Sequence, residues 1–267
     1  MNPVPEVAPW IERLARVGYA AKAVLYATIG VLAVQAGLGE GGRTTGTGGA
    51  LREVLQAPYG RAMLIVVAAG LAGYAVWLFV RAATGAEQRG DGAKGVALRV
   101  GDVVRGTAHG ALALAAFRLA RGEGGGEGRD GAREFAGRAM EVPFGEGLIW
   151  AAAAGVAGYG LYQLYRSWTA KLSRRLALGE LPAGTVRWVI GVSRFGIAAR
   201  GVVFCLMGYF LARAAAQHDP SEAGGLKESL GALAEMGRWP LAVVGLGLVA
   251  YGVYELVNAR YRRIQIV

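Results

Sequence analysis

Arg16-Val17-Gly18, Arg99-Val100-Gly101 and Arg194-Phe195-Gly196 each open an apolar stretch. Gly73-Tyr74-Ala75-Val76-Trp77, Gly158-Tyr159-Gly160-Leu161-Tyr162 and Ala250-Tyr251-Gly252-Val253-Tyr254 close the three stretches that answer them. One unit is therefore written three times: an Arg-x-Gly opening, an apolar helix, a glycine-rich connection and a second apolar helix. A fixed period reveals architecture before any single residue does. It predicts an all-α polytopic membrane protein whose six transmembrane helices form three tandem helical hairpins. The hairpins are expected in a pseudo-threefold arrangement within a single membrane domain, 1–267, with repeats over 11–85, 97–170 and 188–260.

Composition agrees with a membrane location. Of the 267 residues 54% are hydrophobic and only 18% charged, and the mean hydropathy is +0.36. A soluble domain carries about 25% charged residues. The uncharged runs Ala62 to Val80 and Gly147 to Tyr165 approach the ~20 residues that cross a ~30 Å hydrocarbon core, and they read as the clearest spans. All six are placed at 17–38, 60–83, 97–119, 146–168, 190–214 and 238–258. Met1 to Trp10 holds three prolines and a glutamate where a signal peptide has a basic segment, so the first helix is expected to be its own insertion signal. Cys205 is the single cysteine, which excludes an intrachain disulfide and a cysteine-based metal site.

Basic residues fall unevenly on the two sides. Fifteen Lys and Arg flank the ends on the side that holds both termini, against eleven on the other. The positive-inside rule then places both termini in the cytoplasm. The formal net charge of +10 reads as a cytoplasmic face suited to anionic lipids of the bilayer. Nucleic acid is not expected as a partner, because the basic residues are spread over membrane-proximal loops and not gathered on a soluble module.

The outer connections also repeat. Gly49 to Leu55, Gly131 to Ala136 and Gly225 to Leu230 carry apolar residues at spacings of three and four, which predicts short outer amphipathic helices on the membrane surface. Pro58-Tyr59-Gly60 and Pro143-Phe144-Gly145 turn the chain into the returning span, whereas the third copy has Glu235-Met236-Gly237. The glycine tract Gly122 to Gly128 lacks the preceding strand and following Gly-Lys-Ser/Thr of a phosphate loop, so it reads as a linker. Tyr74, Trp77, Tyr159, Tyr162, Tyr251 and Tyr254 are expected to form an aromatic belt at the interface. Gly70, Gly73, Gly155, Gly158, Gly245 and Gly247 permit close helix approach.

These features, with Pro58-Tyr59-Gly60-Arg61, the run Tyr162 to Lys171, Ala198 to Phe204 and Tyr251 to Leu256, resemble a bacterial membrane-protein family catalogued as domain of unknown function 1206. The resemblance covers nearly the whole chain. It implies a six-span inner-membrane protein of three tandem repeats, and it brings no activity, substrate or catalytic residue.

Ionisable groups inside the spans carry whatever function is legible, because they are costly there. Lys22, Arg105 and Arg200 occupy the same position in the three repeats, six residues after the opening arginine. Two accounts stand for them: long basic side chains snorkelling toward headgroups, or a cationic ring around a shared axis that favours an anionic solute or a lipid headgroup. Asp102, Arg105 and His109 share one helix face. Asp102 is placed to neutralise Arg105, and His109 serves either as a packed ring or in a proton-linked step. Glu255 is expected in a structural ion pair with Arg200 of its own hairpin or with an arginine of the basic tail. No nucleophile elbow or zincin pair is present, so no enzymatic activity, metal or cofactor is expected. The candidate functions are transport or binding of an anionic small solute or lipid headgroup, through Lys22, Arg105, Arg200 and His109, or a non-transporting module that binds lipid or a protein partner through basic cytoplasmic loops.

Overall fold

A computed structural model of the chain describes residues 9–84, 92–123, 131–169, 172, 176–179 and 181–262. Among them run six long α-helices: α1 (Pro9–Leu38), α3 (Gly60–Thr84), α4 (Ala93–Ala120), α6 (Gly145–Thr169), α7 (Ala183–Gln217) and α9 (Arg238–Tyr261). Three short ones, α2 (Thr47–Gln56), α5 (Gly131–Met140) and α8 (Leu226–Glu235), sit in the connections within the three repeats. The helices overrun the expected spans, most of all α7, whose 35 residues start after Pro182 and extend for roughly 52 Å. It stops at His218, which takes a left-handed conformation (φ 52°) and returns its N–H to Ala214 and Ala215 carbonyls. Leu172, Leu176 and Leu178, between the second and third repeats, are buried against Val189, Ile197, Tyr251 and Tyr254. Arg89, Lys171, Arg174, Arg175 and Arg263 of the expected basic face, and 124–128 of the glycine tract, lie outside the described residues.

Four of the helices are long and apolar enough to cross a bilayer: Glu12–Leu38 of α1, Gly60–Thr84, Ala183–Gln217 and Arg238–Tyr261. The run in α6 read as one of the clearest spans does not reach that hydropathy, because tyrosines and glycines replace aliphatic residues along it, and α4 carries Arg99, Asp102 and Arg105 in its first half.

The short helices form where their periodicity placed them, but their apolar faces pack on the bundle. Ala50, Leu51 and Val54 of α2 and Leu230 and Leu233 of α8 join the main core with Leu64, Leu71, Ile29 and Leu248. Ala136 and Ala139 of α5 pack with Ile149, Ala153 and Leu211. Helix α2 ends at Ala57, extended at ψ 155°, because the Pro58 ring clashes with a helical residue before it. Tyr59 and Phe144, at equivalent turn positions, hold positive φ angles of 60° and 64°. A Cβ on the next residue, Gly60 or Gly145, would fall 2.1 Å from the Leu55 carbonyl oxygen or 1.5 Å from that of Ala139, so the turn needs glycine there.

The long helices stand in the spatial order α4, α3, α1, α9, α7, α6, each packed on the next, with α1 and α9 forming the largest interface. First and last repeats are thereby joined. Arg16 makes the joint explicit: its guanidinium donates to the Ala259 and Arg260 carbonyls at 2.7 and 2.8 Å, capping the end of α9. The pairs within the first and third repeats, α1 with α3 and α7 with α9, are closed, but α4 and α6 of the second make no comparable contact.

Glycines show why closure is so tight where it occurs. A methyl on Gly18 would meet the Tyr74 Cβ at 2.5 Å and the Gly70 oxygen at 2.8 Å; one on Gly196 would meet the Tyr251 nitrogen at 2.4 Å. At Gly101, the counterpart of Gly18 and Gly196, nothing lies within 4 Å. Valine at Gly18 or Gly196 is therefore expected to destabilise the protein by about 1–3 kcal/mol through overpacking, whereas Gly101→Val leaves thermal unfolding in detergent within ~0.5 kcal/mol of the parent. Equal midpoints for Gly18→Val and Gly101→Val would contradict this packing.

Candidate functional site: a basic and aromatic cluster between the repeats

The equivalent basic positions of the three repeats meet different partners. Lys22 on α1 is 6% exposed and donates to Glu255 Oε1 of α9 at 2.7 Å. Its ammonium also stands over the Tyr74 ring at 4.7 Å and the Tyr19 ring at 5.5 Å. Glu255, 1% exposed, was expected to pair with Arg200 or with the basic tail. It pairs with Lys22 of the first repeat instead, because α9 packs face to face with α1: a methyl on Gly252 would lie 3.0 Å from the Ala23 oxygen.

Arg200 on α7 is buried to 8% exposure, and no carboxylate among the described residues lies in salt-bridge reach of it. Its guanidinium donates to the hydroxyl oxygens of Tyr26 at 3.0 Å and Tyr159 at 3.2 Å. Four rings surround it, with Phe204 at 4.6 Å, Tyr251 at 4.9 Å, Tyr159 at 5.6 Å and Tyr26 at 5.7 Å from the guanidinium carbon. Aromatic faces attract a cation by ~0.5–2 kcal/mol each according to exposure. They cannot cancel its charge.

Asp102 on α4, fully buried, bridges two arginines. Arg81 of α3 reaches it through Nε at 2.9 Å and a terminal nitrogen at 2.5 Å, and Arg105 bonds the same carboxylate one turn on. The fork pins α4 to α3 and leaves Arg105 about one-third exposed. His109 Nδ1 donates to the Arg105 carbonyl at 2.7 Å, and its ring meets Tyr74 edge-on at 4.9 Å. Packing accounts for this histidine.

Tyr74 stands beside both Lys22 and His109, Tyr26 beside both Arg200 and Tyr251, and Arg105 is held by Asp102 on its own helix. The aromatic residues depart from the expected belt: Tyr74, Trp77, Tyr251 and Tyr254 are 3–6% exposed and point inward, and only Tyr162 is half exposed. Tyr74 follows Gly73 and Tyr251 follows Ala250, small residues on the packing faces of their helices. Arg166 donates to the Tyr254 hydroxyl at 2.9 Å, a contact with no sequence signal beyond a basic residue at a helix end. Arg81 was read only as a flanking charge, and nothing in its spacing separated it from the other basic ends.

Two surface clefts lie at the periphery of the bundle. One of about 590 Å³ is lined by Leu55, Tyr59, Arg61 and Leu119; another of about 400 Å³ lies between α3 and α4 and includes Phe79, Arg99 and Val103. Neither includes Lys22, Arg200 or Tyr159.

Three homologous hairpins, apolar helices of membrane length and a cluster of charges held between them define an all-helical repeat protein that fits a membrane location. The chain belongs to the family described as Domain of Unknown Function (DUF1206), which it matches three times, over residues 17–85, 100–170 and 195–262. The uncharacterized protein YxxB of Bacillus subtilis (strain 168) is 28% identical over 259 residues, covering 96% of this chain and 93% of that one. No solved structure matches.

Removing one member of a buried ion pair strands the other in apolar surroundings at a cost of about 3–5 kcal/mol. Glu255→Gln is expected to lower stability by that order and to reduce membrane abundance, and Lys22→Met in the same chain to recover much of the loss. Unchanged thermal unfolding of Glu255→Gln would show that the pair is not structural.

Proposed function

We propose that this protein is a six-span bacterial inner-membrane protein, both termini cytoplasmic, whose centre holds an anionic group, either a small solute or a lipid headgroup, for binding or transport. In this reading the three repeats, 11–85, 97–170 and 188–260, make one membrane domain in a pseudo-threefold order, with α4 and α6 as spans despite their lower hydropathy. The observation that carries it is Arg200, a buried guanidinium among four rings whose only described hydrogen-bond partners are two neutral tyrosine hydroxyls. Lys22 and Glu255 cancel as a pair, and no carboxylate among the described residues answers Arg200, so its positive charge is left over beside them. An uncompensated cation at this depth is costly, and an anion would satisfy it. Tyr26 and Tyr159 would orient the guanidinium, Arg105 and His109 would border the approach, and Lys22 would contribute field. No enzymatic step belongs to the proposal.

A second reading has its own support. Lys22–Glu255 joins α1 to α9 and Arg81–Asp102 joins α3 to α4, so inner charges also fix the register between repeats. A protein with that role alone would bind anionic lipid or a partner through its basic cytoplasmic face without moving a solute.

Thiol labelling separates the two. With Cys205 replaced by alanine and single cysteines at Tyr26, His109 and Phe204, a membrane-impermeant reagent is expected to label all three in intact membranes if an aqueous path reaches the cluster. Protection at all three would remove the transport reading and leave the binding module.

A further inference from the structure

The second repeat differs from the other two in a way its sequence does not require. In the first and third repeats the paired helices meet through glycine: Gly70 against the Val17 oxygen at 2.9 Å, Gly73 against the Leu14 Cβ at 3.0 Å, Gly247 against the Ala199 Cβ at 2.2 Å, taking the position of an added methyl. The second repeat carries the same close-packing residues, Gly101, Gly155 and Gly158, and nothing lies within 4 Å of any of them. A surface suited to helix contact is left without its helix. Exposed apolar side chains adjoin these glycines in the chain: Val100 at 56% and Val104 at 62%, which also line the cleft between α3 and α4, and Tyr162 at 51%.

Members of the cluster adjoin these glycines in the chain. Tyr159, next to Gly158, hydrogen-bonds Arg200, and Arg105 lies one turn of α4 beyond Gly101. From the opening arginine of α4 to Arg105 is six residues, roughly 9 Å along the helix, a depth that a phosphate reaches when a lipid sinks modestly below its leaflet. Water-lined access would call for polar rims, and these are apolar. A second copy of the chain meeting the seam about a twofold axis would bring another Arg105 to it, placing like charges together.

We infer that the α4/α6 seam is a lateral port occupied by an anionic lipid of the surrounding bilayer, its acyl chain lying over Gly101, Gly155 and Gly158 and its phosphate directed at Arg200 and Arg105. This rests on the anion-site reading above and names the ligand class: a phosphate-bearing amphiphile that enters sideways from the membrane, not a solute that enters from water. Arg200 donates to the phosphate from the unoccupied side of its fork, and the Tyr159 hydroxyl shifts from partner of Arg200 to partner of both.

The test uses the full chain reconstituted in phosphatidylcholine vesicles containing a minor fraction of phosphatidylglycerol, with co-purifying lipid measured by native mass spectrometry. Wild type is expected to retain one phosphatidylglycerol, enriched about ten-fold over its bulk share, equivalent to ~1.4 kcal/mol. Gly158→Trp fills the port and brings retention to the bulk ratio, while Val66→Trp, on the exposed side of α3, leaves it as in wild type. Arg200→Gln removes the headgroup preference and Arg200→Lys keeps most of it. Retention lost in Arg200→Gln but intact in Gly158→Trp would overturn the port and leave the anion site standing. Retention unaffected by either would overturn both. A dimer in wild type that Gly158→Trp dissociates would put a second copy in the seam. A Gly158→Trp protein that no longer folds would show the seam closed in the membrane, which also overturns the port.

Discussion

Charge in an apolar interior is the constraint from which the rest of this molecule follows. Lys22 and Glu255 are both almost fully buried, 2.7 Å apart, and lie 233 positions apart in the chain. Neither is tolerable there alone. Their pairing requires the first and last repeats to touch, and that contact, α1 on α9, is the largest interface in the fold. Arg16 reinforces it from the helix end by satisfying the Ala259 and Arg260 carbonyls. The same logic operates between the first and second repeats, where Asp102 is held by Arg81 and Arg105.

Close approach is the second condition. The charged pairs are short because glycine lets the backbones come together: Gly30 against Gly245, Gly37 against Arg238 and Gly252 against Ala23 along α1 and α9. Where lipid removes the hydrophobic drive between helices, such contact and the polar ties across it supply the cohesion. Arg200 stands apart from this scheme. It sits in a cage of rings with no carboxylate among the described residues, next to the seam where the close-packing residues are unmatched. Cohesion belongs to the first and third repeats, and the unmatched glycines to the second.

Much of this was legible from residues alone. The triple period placed the hairpins, the three-and-four spacing placed the outer helices, and the shared offset from the Arg-x-Gly openings picked out Lys22, Arg105 and Arg200. What escaped was every question of partner. Glu255 looked equally suited to Arg200 or the tail, because its own helix says where it sits along the axis and nothing of which helix faces it. The tyrosines matched an interfacial belt by position, yet Tyr74 and Tyr251 turn inward because the small residues before them are packed against another backbone. The outer helices looked like surface-lying segments, since an amphipathic period does not distinguish lipid from protein as the recipient of its apolar face.

The sequence by itself determined the local and the periodic: an all-α chain of three like units, the proline and glycine residues at which the chain turns into the returning helices, and the offset at which each unit carries a basic residue. These follow from hydrophobic pattern, proline and glycine, which act within a few residues. Only the tertiary structure decided the neighbours: α1 beside α9, Glu255 on Lys22, Arg81 on Asp102, and one hairpin open where its two copies are closed. Repeats of like sequence differ in this way because each is packed by what surrounds it. The helices of the first and third repeats close on their own partners, whereas α4 and α6 of the second pack on α3 and α7.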